Sequence, residues 1–290
     1  MQKMHRDEIQ IRDPFFMKDS KNKCYYLVGS TDENIWTTGC SFKGYMTRDL
    51  ETFEGPYTLF ENSESFWAEK QFWAPEVHHY NGKYYMFASF YGDPFLRATQ
   101  ILSSDEPLGR YEPISNKPIT PDGWECLDGT LYVEDGTPWV VFCHSWEQIE
   151  DGTICATPLS DDLMATISDP ITLFSAKSSG WAHEYPEKGK YVTDGPYCYK
   201  TSDGHLILLW SSFMNGKYAI GQARSISGNV SGPYEHLELL YTDDGGHGML
   251  FERFDGQLML SIHTPNDTPN ERIKLLPIAD MGDRLVVIEG

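Results

Sequence analysis

Five polar side chains stand at matching points of otherwise apolar segments. They are Asp13 in Ile11-Arg12-Asp13-Pro14, Glu76 in Trp73-Ala74-Pro75-Glu76, Asp128 in Leu127-Asp128-Gly129, Asp194 in Thr193-Asp194-Gly195-Pro196 and His247 in Gly245-Gly246-His247-Gly248. Four carboxylates brought around one axis repel one another, so a fold that gathers them does so for a function. Three uses fit these residue types. Carboxylates with carbonyls suit calcium or magnesium; the EF-hand loop spacing is missing, so the ligands would be dispersed along the chain. Glycoside hydrolysis needs one carboxylate as base and a second carboxyl as acid on opposite sides of a sugar, and a third acid nearby keeps the proton donor protonated. The third use is structural, because Asp before Gly or Pro is an ordinary turn former. Each Asp alone reads as a turn, whereas the set in register reads as a site.

The elements that must bring them together are visible as a repeat. Five apolar runs resemble one another: Cys24 to Ser30, Tyr84 to Ser89, Pro138 to Cys143, Leu206 to Ser211 and Leu258 to His263. Four follow a hairpin dipeptide, namely Asn81-Gly82, Asp135-Gly136, Asp203-Gly204 and Asp255-Gly256. Counted from Tyr25, Tyr84, Trp139, Leu206 and Leu258, the steps are 59, 55, 67 and 52 residues. One of the five polar residues precedes each run, and a third strand-like stretch follows the first four, as at Gly44-Tyr45-Met46-Thr47 and Tyr218-Ala219-Ile220-Gly221. Units of this length with about four short strands each are the signature of a propeller. The fold expected is all-β, a five-bladed β-propeller, with residues 1–290 as one catalytic domain. A two-sheet sandwich competes, but a fivefold recurrence is hard to explain there. Only Ser63–Lys70 offers a turn or two of helix. The first strand of each blade lines the central channel, so the five polar residues should converge at one end of it.

The five motifs, in order over the whole chain, resemble family 43 of the glycoside hydrolases. The resemblance implies a five-bladed propeller and hydrolysis in a single displacement with inversion, typically of α-L-arabinofuranosides or β-D-xylosides of plant cell walls. By that likeness Asp13 is the general base that activates water, and Asp128 tunes and orients the acid. Asp194 stands where the family has its general acid. His247 stands where a central histidine often meets a bound cation or its waters. No cofactor is implied beyond such a cation, calcium or another, in the central channel. One departure concerns reach: the family shows Glu-Gly-Pro where this chain has Asp194-Gly195-Pro196, one methylene shorter. Glu184 in His183-Glu184-Tyr185 is the alternative acid, and a site that only binds sugar is a third reading. Arg272 resembles a late family position and could equally form a surface ion pair. The reading adopted is an exo-type glycosidase, with α-L-arabinofuranosidase favoured over β-xylosidase or endo-arabinanase. A non-catalytic carbohydrate-binding propeller and an enzyme that transfers or phosphorolyses sugars are the rivals.

Composition agrees with a sugar as partner. Aromatic residues reach 14%, and flat rings pack on carbohydrate C–H faces; Trp36, Phe66, Trp67 and Trp73 are the candidates, with half or more expected in the core. Glu76 belongs to the expected substrate-binding set with Trp73, Trp36 and Arg272. His78 and His79 read as strand-surface residues. A net charge of −20 repels phosphate backbones and anionic lipids, which argues against nucleic acid and membrane surfaces. No HExxH, GxSxG or P-loop pattern occurs. The six cysteines form no CxxC and read as buried reduced thiols. The segment Met1 to Pro14 lacks the apolar centre of a signal peptide, so a cytoplasmic location is expected if this is the native start, and a secreted or periplasmic one if a signal was removed. A monomer or small homo-oligomer is expected. The loops Thr31–Ser41 and Phe60–Phe72 should form the rim of the site near the first two blades.

Overall fold

In the computed structural model the described residues, 2–31, 35–38, 41–185 and 189–288, form five antiparallel sheets arranged as a five-bladed propeller. Cys40 and part of the loop expected at the rim lie outside the described residues. Blade one holds β1 (Gln2–His5), β2 (Arg12–Asp19), β3 (Cys24–Ser30), β4 (Ser41–Thr47) and β5 (Thr52–Glu61). Blade two holds β6 (Lys70–Tyr80), β7 (Lys83–Gly92), β8 (Leu96–Ser104) and β9 (Glu112–Pro113). Blade three holds β10 (Cys126–Glu134), β11 (Thr137–His144), β12 (Thr153–Pro158) and β13 (Ile171–Ser175), with a single helical turn, α1 (Trp146–Ile149), between β11 and β12. Blade four holds β14 (Asp194–Lys200), β15 (Leu206–Met214), β16 (Lys217–Ser225) and β17 (Tyr234–His236). Blade five holds β18 (Gly246–Glu252), β19 (Leu258–Thr264), β20 (Arg272–Asp280) and β21 (Leu285–Val287).

The repeated runs are the second strands, each folded back on the first by a tight turn. At Asn81-Gly82 and Asp135-Gly136 both central residues have positive φ (46° and 81°, 48° and 86°), as the hairpin turn that matches strand twist requires. The first strands β2, β6, β10, β14 and β18 pack against one another in a closed ring. Their alternate faces supply wedges of apolar side chains between neighbouring sheets, rather than one central core. Residues 63–70 are not helical. They turn back so that Phe66 joins Phe60, Phe72 and Phe90 in an aromatic cluster between blades one and two. Burying those rings outweighs the weak helical preference of so short a segment.

Ring closure uses no strand shared between the first and last blades among the described residues. The chain's first strand, β1, pairs with β5 inside blade one. The seam with blade five is held by side chains instead. Arg12 pairs with the fully buried Glu271 at 2.8 Å, and Arg272 donates to the Asp7 carbonyl at 2.7 Å. The Phe254 N–H donates to the Tyr25 hydroxyl at 2.8 Å. The five described cysteines are free, four of them buried. No helix of the described residues is long and apolar enough to cross a membrane.

Candidate active site

Each innermost strand carries an irregularity near its start, two of them in β6, where the pairing with the second strand shifts. The residue at that bulge has a left-handed backbone in every blade: Asp13 (φ 54°), Ala74 (46°), Asp128 (54°), Gly195 (52°) and His247 (52°). Each is followed by Pro or Gly. Asp and His tolerate this region better than most residues, and the bulge turns their side chains out of the ladder toward the channel mouth. The register corrects the expected set. Asp13, Asp128 and His247 are true equivalents. Asp194 stands one residue earlier, paired with Ser211. Glu76 stands two residues beyond its bulge, deeper along β6, where it is 5% exposed and bonds His78 at 3.0 Å. Glu76 therefore does not line the cavity, and His78 is partly buried rather than a surface residue. The blade-two equivalent of the acids is Ala74.

A belt of acceptors from the second strands pins these bulges across each blade boundary. The Ala74 N–H donates to Ser30 Oγ (2.8 Å), Asp128 N–H to Ser89 Oγ (2.7 Å) and His247 N–H to Ser211 Oγ (2.9 Å). Asp13 N–H donates to His263 Nδ1 at 3.2 Å. Blade three offers Cys143 at this point, a poor acceptor, and there the Gly195 N–H donates instead to Asp128 Oδ2 at 2.9 Å. Sequence reasoning passed over this belt, although its members are the last residues of the five repeated runs.

The carboxylates differ because their neighbours differ. Burial raises the pKa of Asp13, but His247 (Nδ1 to Oδ1, 3.2 Å), Arg12 and a hydrogen bond from Ser30 (2.7 Å) outweigh it, and Asp13 lies below the usual range. Burial and the charge of Asp128 push Asp194 up to about 7. Asp128 is itself raised, first by burial and then by Asp13 and Glu76, against the pull of His247 (3.7 Å) and the Gly195 N–H. Burial lowers His247, yet four surrounding carboxylates raise it overall and so favour its charged form. His263 approaches the same Asp13 oxygen at 3.5 Å without forming an ion pair. Burial and Arg12 push it down to about 3, which leaves Nδ1 a bare acceptor for the Asp13 N–H.

These groups floor a cavity of about 610 Å³. Asp13, Asp128, Asp194 and His247 line it together. Trp36 and Trp73, edge to face at 5.3 Å, form one wall from blades one and two. Trp146, Tyr185 and Phe213, in contact at 5.6 and 4.6 Å, form another from blades three and four. Trp36 is 49% exposed on the rim. Phe66 and Trp67 are absent from the cavity because they belong to the aromatic cluster between blades one and two. Glu184 is exposed outside the cavity, 3.4 Å from the Tyr191 hydroxyl. Arg272 also lies outside it; its guanidinium is spent on the carbonyls of Asp7, Pro269 and Glu271. Three lining residues carried no sequence signal of function. Arg97 stacks on Trp73 at 4.0 Å and pairs with Glu125, Tyr218 donates to Asp194 Oδ2 at 3.0 Å, and Asn266 accepts from Arg12 at 2.7 Å.

Protein side chains alone do not complete a calcium shell, so a cation here would be held by His247 Nε2 together with water. Among the described residues no three His, Cys, Asp or Glu side chains are grouped to hold a metal. The buried Nε2 of His247, with no hydrogen-bond partner, is a single nitrogen where calcium takes six or more oxygens.

Comparison with known proteins agrees with this geometry. Residues 8–278 match the family model for glycosyl hydrolases family 43. A xylosidase/arabinosidase from Bacteroides ovatus is 25% identical over 77% of this chain and 75% of its own length. An extracellular endo-α-(1→5)-L-arabinanase from Bacillus subtilis strain 168 is 24% identical over 77% of this chain and 67% of its own. The crystal structure of an endo-arabinase from Bacteroides thetaiotaomicron VPI-5482 superposes with a TM-score of 0.88 at 42% identity, covering 95% of this chain and 96% of that one.

Proposed function

The chain belongs to family 43 of the glycosyl hydrolases and is a glycosidase, and on that premise we propose that it hydrolyses α-1,5-linked arabinan with inversion, cutting within the chain. The single observation that carries the mechanism is one pocket holding Asp13 below, and Asp194 well above, the ordinary carboxylate range. At neutral pH Asp13 is a carboxylate that accepts a proton from water as the water oxygen bonds the anomeric carbon. Asp194 gives its proton to the departing sugar oxygen as the glycosidic bond breaks. Asp128 maintains the proton on Asp194 by its charge and fixes the segment through the Gly195 N–H. His247 holds Asp13 ionised. No cofactor is required in this scheme.

Arabinan, and cleavage within it, are favoured by two considerations. Aromatic walls on two sides of the carboxylates suit a chain that continues past the scissile bond in both directions. The 42% likeness to an endo-arabinase covers nearly the whole chain. This reading replaces the expectation of exo action. Linear arabinan should give a ladder of oligosaccharides at early times, with Asp13→Asn as the inactive control. Release of arabinose alone would favour exo cleavage, binding without turnover a lectin-like role, and phosphate dependence a phosphorolytic one.

A further inference from the structure

Tyr218 reaches the pocket from β16, not from an innermost strand, and three contacts seat it. A Cβ on Gly246 would lie 2.3 Å from its ring, so only glycine lets β18 pass this closely. The ring stacks on His263 with centroids 5.7 Å apart and planes 24° apart. Its backbone N–H donates to Asp244 Oδ1 at 3.2 Å. The side chain is 2% exposed, and burial beside Asp194, Asp128 and Asp13 keeps the phenol protonated far above neutrality. Its hydroxyl donates to Asp194 Oδ2.

A neutral carboxyl carries its proton on one oxygen. A donor at Oδ2 favours the carbonyl form there and the proton on Oδ1. We propose that Tyr218 is a positioning residue for glycosidic-bond cleavage, which fixes the oxygen of Asp194 that bears the proton and anchors a carboxyl one methylene shorter than glutamate. The proposal rests on Asp194 being the acid. When the glycosidic C–O bond breaks, the proton on Oδ1 passes to the leaving sugar oxygen and the bond electrons stay with that oxygen. Asp194 becomes a carboxylate, and the hydrogen bond from Tyr218 becomes charge-assisted and stronger. Tyr218 therefore stabilises the transition state more than the ground state, and only where the leaving group needs a proton. Other groups facing Asp194 are Asp13 from β2, Asp128 from β10, Cys143 from β11 and His247 from β18. None of them donates a hydrogen bond to Oδ2.

The test compares wild type, Tyr218→Phe and Asp194→Asn on α-1,5-arabino-oligosaccharides and on aryl glycosides of the same sugar with leaving groups of graded pKa. Phe keeps the ring and its stacking, and a thermal melt checks the fold. Tyr218→Phe should lower kcat on oligosaccharides about ten- to a hundredfold. Its loss on the best aryl leaving group should be about threefold or less, with KM little changed. Its alkaline limb should move to higher pH, since a donor to the charged form is gone. Gly246→Ala, which pushes the ring away while leaving the hydroxyl on the molecule, should show the same leaving-group dependence. Equal losses on every leaving group, or no loss, with Asp194→Asn still strongly dependent, would overturn the role of Tyr218 alone. If Asp194→Asn shows no dependence, the acid is elsewhere and both assignments fall.

Discussion

Asp13 and Asp194 are the same side chain held in opposite protonation states, and the difference lies wholly in what faces them. His247, Arg12 and a serine hydroxyl draw Asp13 down, while burial beside the Asp128 charge pushes Asp194 to about 7. The alkaline limb of the activity profile should accordingly lie near neutrality, where Asp194 loses its proton. Asp128→Asn removes a negative charge that favours the protonated form, so the limb should move to lower pH in a titration of kcat/KM. An unmoved limb would mean that Asp128 does not tune the acid. Both aspartates are legible in the sequence as acids opening apolar strands. Their contrast is not, because it is created by residues from other blades that no local pattern connects. Tyr218 is silent for the same reason: a tyrosine on a third strand looks like any other strand aromatic until Gly246 and His263 are placed around it.

The element that makes the site is a bulge, and the bulge explains which residues the repeat located and which it displaced. Alternation along a strand shows which residues share a face, and from that the five innermost strands and their order follow. A left-handed residue inside the strand breaks the alternation, so Asp194 falls one place and Glu76 two places from the positions that motif matching suggests. Proline or glycine after each bulge was a usable sign, as was the Ser, Ser, Cys, Ser, His series ending the repeated runs. Gly195 tests the element directly. It has φ of 52°, and an added Cβ would stand 2.8 Å from the His247 ring. Gly204 has φ of 86° with nothing within 4 Å of such an atom. Gly204→Ala should cost about 1 kcal/mol for its backbone alone. Gly195→Ala should cost about 1–3 kcal/mol more for the collision, read from denaturant midpoints. Equal losses would show that the His247 ring yields freely and that the bulge is not tightly packed.

At the scale of the molecule the propeller turns five dispersed motifs into one pocket whose wall crosses the seam between the last blade and the first. Arg12 lines the pocket and also closes the ring through Glu271 and Asn266, and Trp36 on the rim donates to Thr268 of blade five at 3.0 Å. The fivefold repeat made this architecture legible. The shape of the rim was not legible, because it depends on how Phe66 folds into the core and on loops with no periodicity to read. In the proposed mechanism Asp13, acting through water, and Asp194, acting on the leaving oxygen, cleave the glycosidic bond in a single displacement. Proton NMR of the first product formed from an α-1,5-arabino-oligosaccharide, recorded before mutarotation, tests it most directly. The newly formed reducing end should appear first as the β anomer, inverted from the α linkage. First appearance of the α anomer would contradict the single displacement and the roles given to both aspartates.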